Sequence, residues 1–162
     1  MKKLVHLVDT GLSWALIAAM ASILLVVVWQ VISRFILQDP ASVTEELSRF
    51  ILMWIGILGA AYAYRQKAHL GLNLVVERQA PHVKKFILLL IEVLVLIFSA
   101  VVLVFGGKGL VNLTLELEQI SAALGVHIGF VYTVLPISGV LIIFYCIVNM
   151  MEILSGTQQE QS

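Results

Sequence analysis

The sequence predicts an all-α membrane protein: four transmembrane helices with short interfacial amphipathic segments. Three observations predict it. Of 162 residues, 60% are hydrophobic and 12% are charged, about half the roughly 25% charged residues of a soluble domain. Mean hydropathy is +1.02, and a soluble chain this short would lack the polar groups to cover its surface. The apolar residues also form long continuous runs, whereas a membrane barrel needs many alternating segments of about ten residues. This composition disfavours a soluble enzyme and a disordered tail. Ten Lys+Arg balance ten Asp+Glu, so there is no basic footprint for nucleic acid. The single cysteine, Cys146, supports neither a disulfide framework nor a multi-cysteine metal site.

A helix needs about 20 largely apolar residues to cross roughly 30 Å of hydrocarbon. Leu12–Ile32 is the first such run, closed by Arg34. Lys2, Lys3 and the Ala19-Met20-Ala21 triplet resemble a signal peptide. Cleavage there would leave half a membrane helix, so the segment is expected to stay as an anchor. Phe50–Tyr64 is shorter, but Ser42 or Thr44 as N-cap and Glu45 and Glu46 in a first turn extend it backwards. Phe86–Gly106 is the third run, opened by Pro81 and interrupted by Glu92 and Ser99. Gly106, Gly107 and Gly109 mark a weak point at its end. Val126–Met151 is the fourth, with Pro136 near its middle. Residues 1–154 are expected to form one membrane domain, and 155–162 a polar tail.

Two connecting segments are amphipathic. Val111–Glu118 alternates as a strand would, yet Leu110, Leu113, Leu117, Ile120 and Leu124 also fall on one helical stripe. An isolated strand has no pairing partner, so a helix continuing the third run is expected. His69–Val76 reads as a short segment in the interface plane.

Lys and Arg collect on cytoplasmic loops. Arg65, Lys67, Arg78, Lys84 and Lys85 flank the connection between helices 2 and 3, and Lys2 and Lys3 the N-terminus. Between helices 3 and 4 only Lys108 stands beside Glu116 and Glu118. Both termini are therefore expected in the cytoplasm.

Ionisable residues at membrane depth are functional candidates by default. Glu46, Arg49, Met53, Gly56, Ala60 and Ala63 recur at spacings of three and four along helix 2, forming one stripe. Glu45 and Glu46 lie within a turn of Arg49 and can neutralise it, and small residues admit a close neighbour. The stripe is either a salt bridge above an ordinary helix contact or a docking site for another subunit. Glu92, about two turns inside helix 3, either snorkels towards Lys84 and Lys85 or carries a proton or ion. As a lone carboxylate it shows no partner network. His6, His69, His82 and His127 fall at or beyond the ends of the runs, so haem with its facing axial histidines is not expected, nor a metal. The chain has no Walker loop, and no cofactor or enzymatic activity is expected. Trp14, Trp29 and Trp54 read as interface anchors or packing residues.

From Trp29 to His69 the chain resembles the small membrane subunit of TRAP transporters, the DctQ-like family. The resemblance rests on Arg34-Phe35, Glu45-Glu46-Leu47-Ser48-Arg49, Trp54, the Gly59–Ala63 patch and His69, with Tyr132–Gly139 adding a Y-x-x-L-P-I-type motif. Val126-His127 departs from it, where many members carry a proline after the glycine.

The resemblance implies a multi-pass protein of the bacterial inner membrane. Its partners would be membrane lipids, a large DctM-like membrane subunit holding substrate and sodium sites, and a periplasmic substrate-binding protein delivering an organic anion such as a dicarboxylate or sugar acid. The small subunit's implied role is scaffolding for sodium-coupled uptake. Candidates for the subunit interface are Arg34, Glu45, Glu46, Arg49, Trp54, Gly56, Ala60, Ala63 and His69. Asp39, Glu116 and Glu118 are candidates for docking the binding protein. The alternative is a self-sufficient small transporter, a homodimer with Glu92 as proton carrier.

Overall fold

A computed structural model describes residues 2–38, 42–66 and 81–155. The expected interfacial segment at 69–76, the tail beyond Ser155, Asp39 and His69 lie outside the described residues. The helices in order are α1 (Lys2–Ile32), α2 (Ser42–Arg65), α3 (Pro81–Phe98), α4 (Gly107–Glu116), α5 (Ile128–Tyr132) and α6 (Val134–Leu154). A π-helical turn, Ser33–Leu37, ends α1, and a π-helical stretch, Ser99–Gly106, joins α3 to α4. Four of the resulting spans are long and apolar enough to cross a membrane: Lys3–Leu37, Ser42–Arg65, Val83–Glu116 and Ile128–Leu154. This is the all-α membrane architecture the runs predict, and it makes the chain a multi-pass membrane protein.

The last span is the centre of the packing and the first lies outermost. α1 packs along α2, while α2, α3 and the π-helical stretch all pack on α6. The last span is accordingly the most buried and the first the least. Ala61, Ile142 and Cys146 form the core, with Tyr64, Val95, Leu96, Leu103 and Leu141 against it.

The glycines of the third run do not break it. The helix runs on from Ser99–Gly106 into α4, so the Val111–Glu118 segment continues the span as a helix to Glu116. Of these glycines Gly107 serves close approach instead, as do Gly129 and Gly139 of the fourth span. A Cβ on Gly107 would lie 2.9 Å from the Leu135 Cβ, one on Gly129 2.7 Å from the Leu115 Cγ, and one on Gly139 2.8 Å from the Leu103 Cβ. Glycine is the residue that lets spans 3 and 4 cross this tightly. The span of 34 residues is roughly 50 Å long at the helical rise, so its ends reach beyond a hydrocarbon layer of about 30 Å.

Pro136 is not near the middle of one continuous helix. The fourth span turns at Thr133, whose hydroxyl donates to the Phe130 carbonyl at 2.6 Å, and Pro136 falls in the first turn of α6. There its missing N–H leaves little unmade.

Residues 117–127 form a compact loop at the end of span 3. Glu118 takes a left-handed conformation with φ 46°, and Gly125 one with φ 67°. Ser121 donates its N–H to the Val126 carbonyl at 2.8 Å, Ile128 to that of Gln119 at 2.9 Å, and Ile120 and His127 form an isolated antiparallel bridge.

Candidate subunit interface

The N-terminal end of α2 gathers the polar residues of the signature stretch, each with a different partner. Arg34, in the turn after α1, meets Glu45 at 3.5 Å, with both side chains more than half exposed. Gln30 of α1 donates through Nε2 to the Thr44 carbonyl at 2.6 Å and to the Ser48 hydroxyl at 3.0 Å. The two bonds pin α1 to the start of α2.

Glu46 points away from both. Its Oε2 accepts the backbone N–H groups of Ala123 at 2.8 Å and Leu124 at 3.2 Å, in the loop before α5. The hydroxyl of buried Ser121 accepts the Leu124 N–H as well, at 3.2 Å. Two successive N–H groups converging on one carboxylate oxygen make an anion-binding concavity, which Glu46 fills. The expected pairing of Arg49 with the neighbouring glutamates takes no direct-contact form, though its charge still acts on the Glu46 carboxylate across space. Glu45 turns to Arg34, Glu46 turns to the loop, and Arg49 is exposed with no ion pair or hydrogen bond among the described residues.

The stripe expected along α2 also divides. Glu46, Met53 and Ala63 are half-buried against the rest of the chain, while Arg49, Gly56 and Ala60 are exposed. Leu52, at 60% exposure, completes an open line of Arg49, Leu52, Gly56 and Ala60. A Cβ on Gly56 or Gly59 would meet nothing within 4 Å. Trp54 is turned inwards, its indole N–H donating to the Val131 carbonyl at 3.1 Å. One turn on, Ser138 of α6 donates to the Ile57 carbonyl at 3.1 Å. Glu116 and Glu118 are exposed beside the 117–127 loop.

A second polar group, at the other end of α2, was not foreseen. Tyr64 donates its hydroxyl to the Glu92 carboxylate, and Asn149 donates its Nδ2 to the Glu92 Oε1 at 3.1 Å. The Cys146 sulfur lies 3.2 Å from the Tyr64 hydroxyl. Glu92 is therefore not the lone carboxylate that its position suggests. It is the junction of three helices, and its partners are Tyr64 and Asn149 rather than Lys84 or Lys85. Beside it, Arg65 meets Asp9 of α1 at 3.4 Å, with both side chains at least three-quarters buried. The Arg65 guanidinium also stands 5.9 Å from the centre of the Tyr145 ring. The available signal was a polar residue inside an apolar run, as with Asn149. The pairing itself needs the helix order.

The sequence profile described as the DctQ component of tripartite ATP-independent periplasmic transporters matches residues 23–156. The chain belongs to the DctQ family. It is 28% identical over 147 residues to the sialic acid TRAP transporter small permease protein SiaQ of Vibrio cholerae, covering 88% of this chain and 83% of that one. A TRAP transporter small permease protein of Haemophilus influenzae is 25% identical over 142 residues, covering 88% and 86%. The isethionate TRAP transporter permease protein DctMQ of Oleidesulfovibrio alaskensis is 28% identical over 129 residues, covering 76% of this chain and 20% of that protein. The DctQ chain is thus the small permease subunit of a tripartite transporter, a class of transport component and not of enzymes. In this DctQ chain the signature residues Glu45, Glu46, Ser48 and Trp54 all bond within the chain, and among them Arg49 is left facing outwards.

Proposed function

We infer that this DctQ subunit is a static frame for sodium-coupled uptake of organic anions in the bacterial inner membrane. It holds a large DctM-like subunit against the open line of α2, and both its termini face the cytoplasm. The observation that carries this reading is how the ionisable groups between the helices are used. Glu46 and Glu92 each tie separate elements of the chain together, and Asp9 and Arg65 tie α1 to α2. Groups held in such bonds fix elements of the chain, the helices at Glu92, Asp9 and Arg65 and the loop at Glu46; a carrier group has to exchange partners as it works. The line of Arg49, Leu52, Gly56 and Ala60 supports docking there, because a small-residue face admits a close helix and Arg49 is exposed beside it with no direct ion pair among the described residues. A covalent precedent supports a large partner: in the DctMQ relative the matching stretch is a fifth of the chain. Relatives named for sialic acid and isethionate support an anionic substrate. A periplasmic binding protein would dock on the outer ends of spans 3 and 4, where Glu116 and Glu118 are exposed; Asp39 of the outer connection would add a third acid.

The test is reconstitution into liposomes with an inward sodium gradient and a panel of dicarboxylates, sugar acids and sulfonates. The small subunit alone is expected to give no uptake, and the pair with its large subunit and binding protein to give saturable uptake. Uptake by the small subunit alone, abolished by Glu92→Gln, would reverse the reading in favour of a self-sufficient carrier.

A further inference from the structure

The Glu46 carboxylate and the loop it grips lie 77 residues apart in sequence, and the spans have ties of their own beside this bond. Spans 2 to 4 are also held by the α3–α6 crossing, by Trp54 on Val131 and by the Glu92 junction, and span 1 by its packing along α2, the Gln30 bonds and the Asp9–Arg65 pair. The bond fixes something else, the shape of residues 117–127. Two residues of this loop hold the left-handed conformation, and one of them, Glu118, has a side chain that disfavours it. Such a conformation persists only where its surroundings over-determine it. Here it is fixed from both ends. The Gln119 N–H reaches back to the Thr114 carbonyl at 3.1 Å, and the Ala123 and Leu124 N–H groups are drawn to Glu46. At the start of this fixed loop Glu116, Leu117, Glu118, Gln119 and Ile120 all face outwards, a strip with acids beside apolar groups.

We propose that Glu46 is a positioning residue for substrate delivery: it holds the 117–127 loop in the one shape that the periplasmic binding protein docks on. This rests on the functional reading above and adds to it a role for the second glutamate of the signature stretch, inside the chain rather than at the large subunit. Removing the carboxylate frees the Ala123 N–H and leaves that of Leu124 to the Ser121 hydroxyl alone, and the loop samples other shapes. The docked shape is then only fractionally populated, and the apparent affinity falls by that fraction. Helix packing is untouched, so assembly with the large subunit persists.

The experiment uses the complex of this chain with its large subunit in nanodiscs, titrated with fluorescently labelled binding protein. Glu46→Ala is expected to weaken binding about ten-fold at unchanged yield of large subunit. Glu46→Gln, whose amide oxygen still accepts both N–H groups, is expected to restore most of the affinity. Gly125→Ala changes the loop from its other side. Its added methyl meets no atom within 4 Å, but the φ of 67° disfavours it, so it is expected to weaken docking as Glu46→Ala does. Hydrogen exchange at Ala123 and Leu124 should quicken in Glu46→Ala. Unaltered affinity in Glu46→Ala and Gly125→Ala would overturn the proposal, as would lost large-subunit yield in Glu46→Ala with normal docking by the complex that remains. If the unaltered complex fails to bind the binding protein at all, the functional reading falls instead.

Discussion

Replacing Gly139 by alanine separates two uses of small residues that look alike in the sequence. The new methyl would sit 2.8 Å from the Leu103 Cβ and from the Val104 Cγ2, and 3.2 Å from the Val104 backbone nitrogen. Carbon atoms attract at about 3.5–4.0 Å, so the crossing must open by roughly 1 Å. Neither the Leu103 Cβ nor the Val104 backbone can swing aside, because both are fixed to the helix. Overpacking of this kind costs about 1–3 kcal/mol. For a chain of this size each kcal/mol moves the melting midpoint by about 2–4 °C, giving a fall of roughly 2–12 °C. Gly56→Ala is the matched control. It meets no atom within 4 Å, and alanine is favoured over glycine in a helix by up to about 1 kcal/mol. Its midpoint should stay level or rise slightly. The assay is thermal unfolding of the purified small subunit in detergent, followed by circular dichroism. A Gly139→Ala chain as stable as the unaltered one, or a Gly56→Ala chain equally damaged, would refute the assignment of close packing to spans 3 and 4.

Further outcomes follow from the same contacts. Glu92→Leu leaves the Tyr64 hydroxyl and the Asn149 amide without their acceptor, and interhelical bonds in membranes average about 0.6 kcal/mol and reach about 1.7. The midpoint in detergent should fall by an amount matching about 1–3 kcal/mol, whereas Glu92→Gln should stay close to the unaltered chain and leave uptake by the whole complex intact. Loss of uptake in Glu92→Gln at full stability would make the carboxylate a transport group. Single cysteines at Gln79 and Glu118 should label from opposite faces of the membrane in intact cells, following the five Lys/Arg residues around the connection between spans 2 and 3; labelling from one face would remove the orientation. Reversing Glu116 and Glu118 to lysine should reduce docking of the binding protein and lessen its dependence on salt, and unchanged salt dependence would take the acids out of the docking surface.

The four spans were legible because the bilayer dictates length and composition locally, so each run carries its own signature. The partners of the polar residues were not legible, and the reason is distance along the chain. Glu46 and Arg49 are one turn apart and suggest a pair, but the N–H groups that hold Glu46 come from the loop at 123–124, and no local rule brings that loop to α2. Glu92 looked isolated for the same reason: its partners stand 28 residues before it and 57 after. The glycines misled in the opposite direction. Gly106 and Gly107 read as a break, since glycine weakens a helix intrinsically, but the helix runs on, and at Gly107 tertiary packing on Leu135 and Pro136 makes the bare α-carbon a requirement. Trp54 reads from the sequence as an interface anchor or a packing residue, and spacing alone does not show that its N–H goes to a carbonyl of the fourth span. The outward position of Gly56 and Ala60 could not follow from spacing alone, since a stripe has the same period whether a neighbour covers it or not.

The central claim, a frame that meets its large partner along α2, is tested most directly by photo-cross-linking in the assembled complex. A photoreactive side chain is placed at Leu52 or Ala60 on the open line, or at Leu24 on the exposed face of α1. Strong adducts with the large subunit are expected from Leu52 and Ala60, weakened by adding Arg49→Ala, and lipid adducts from Leu24. Adducts with the large subunit from Leu24 and only lipid from Leu52 and Ala60 would contradict the claim.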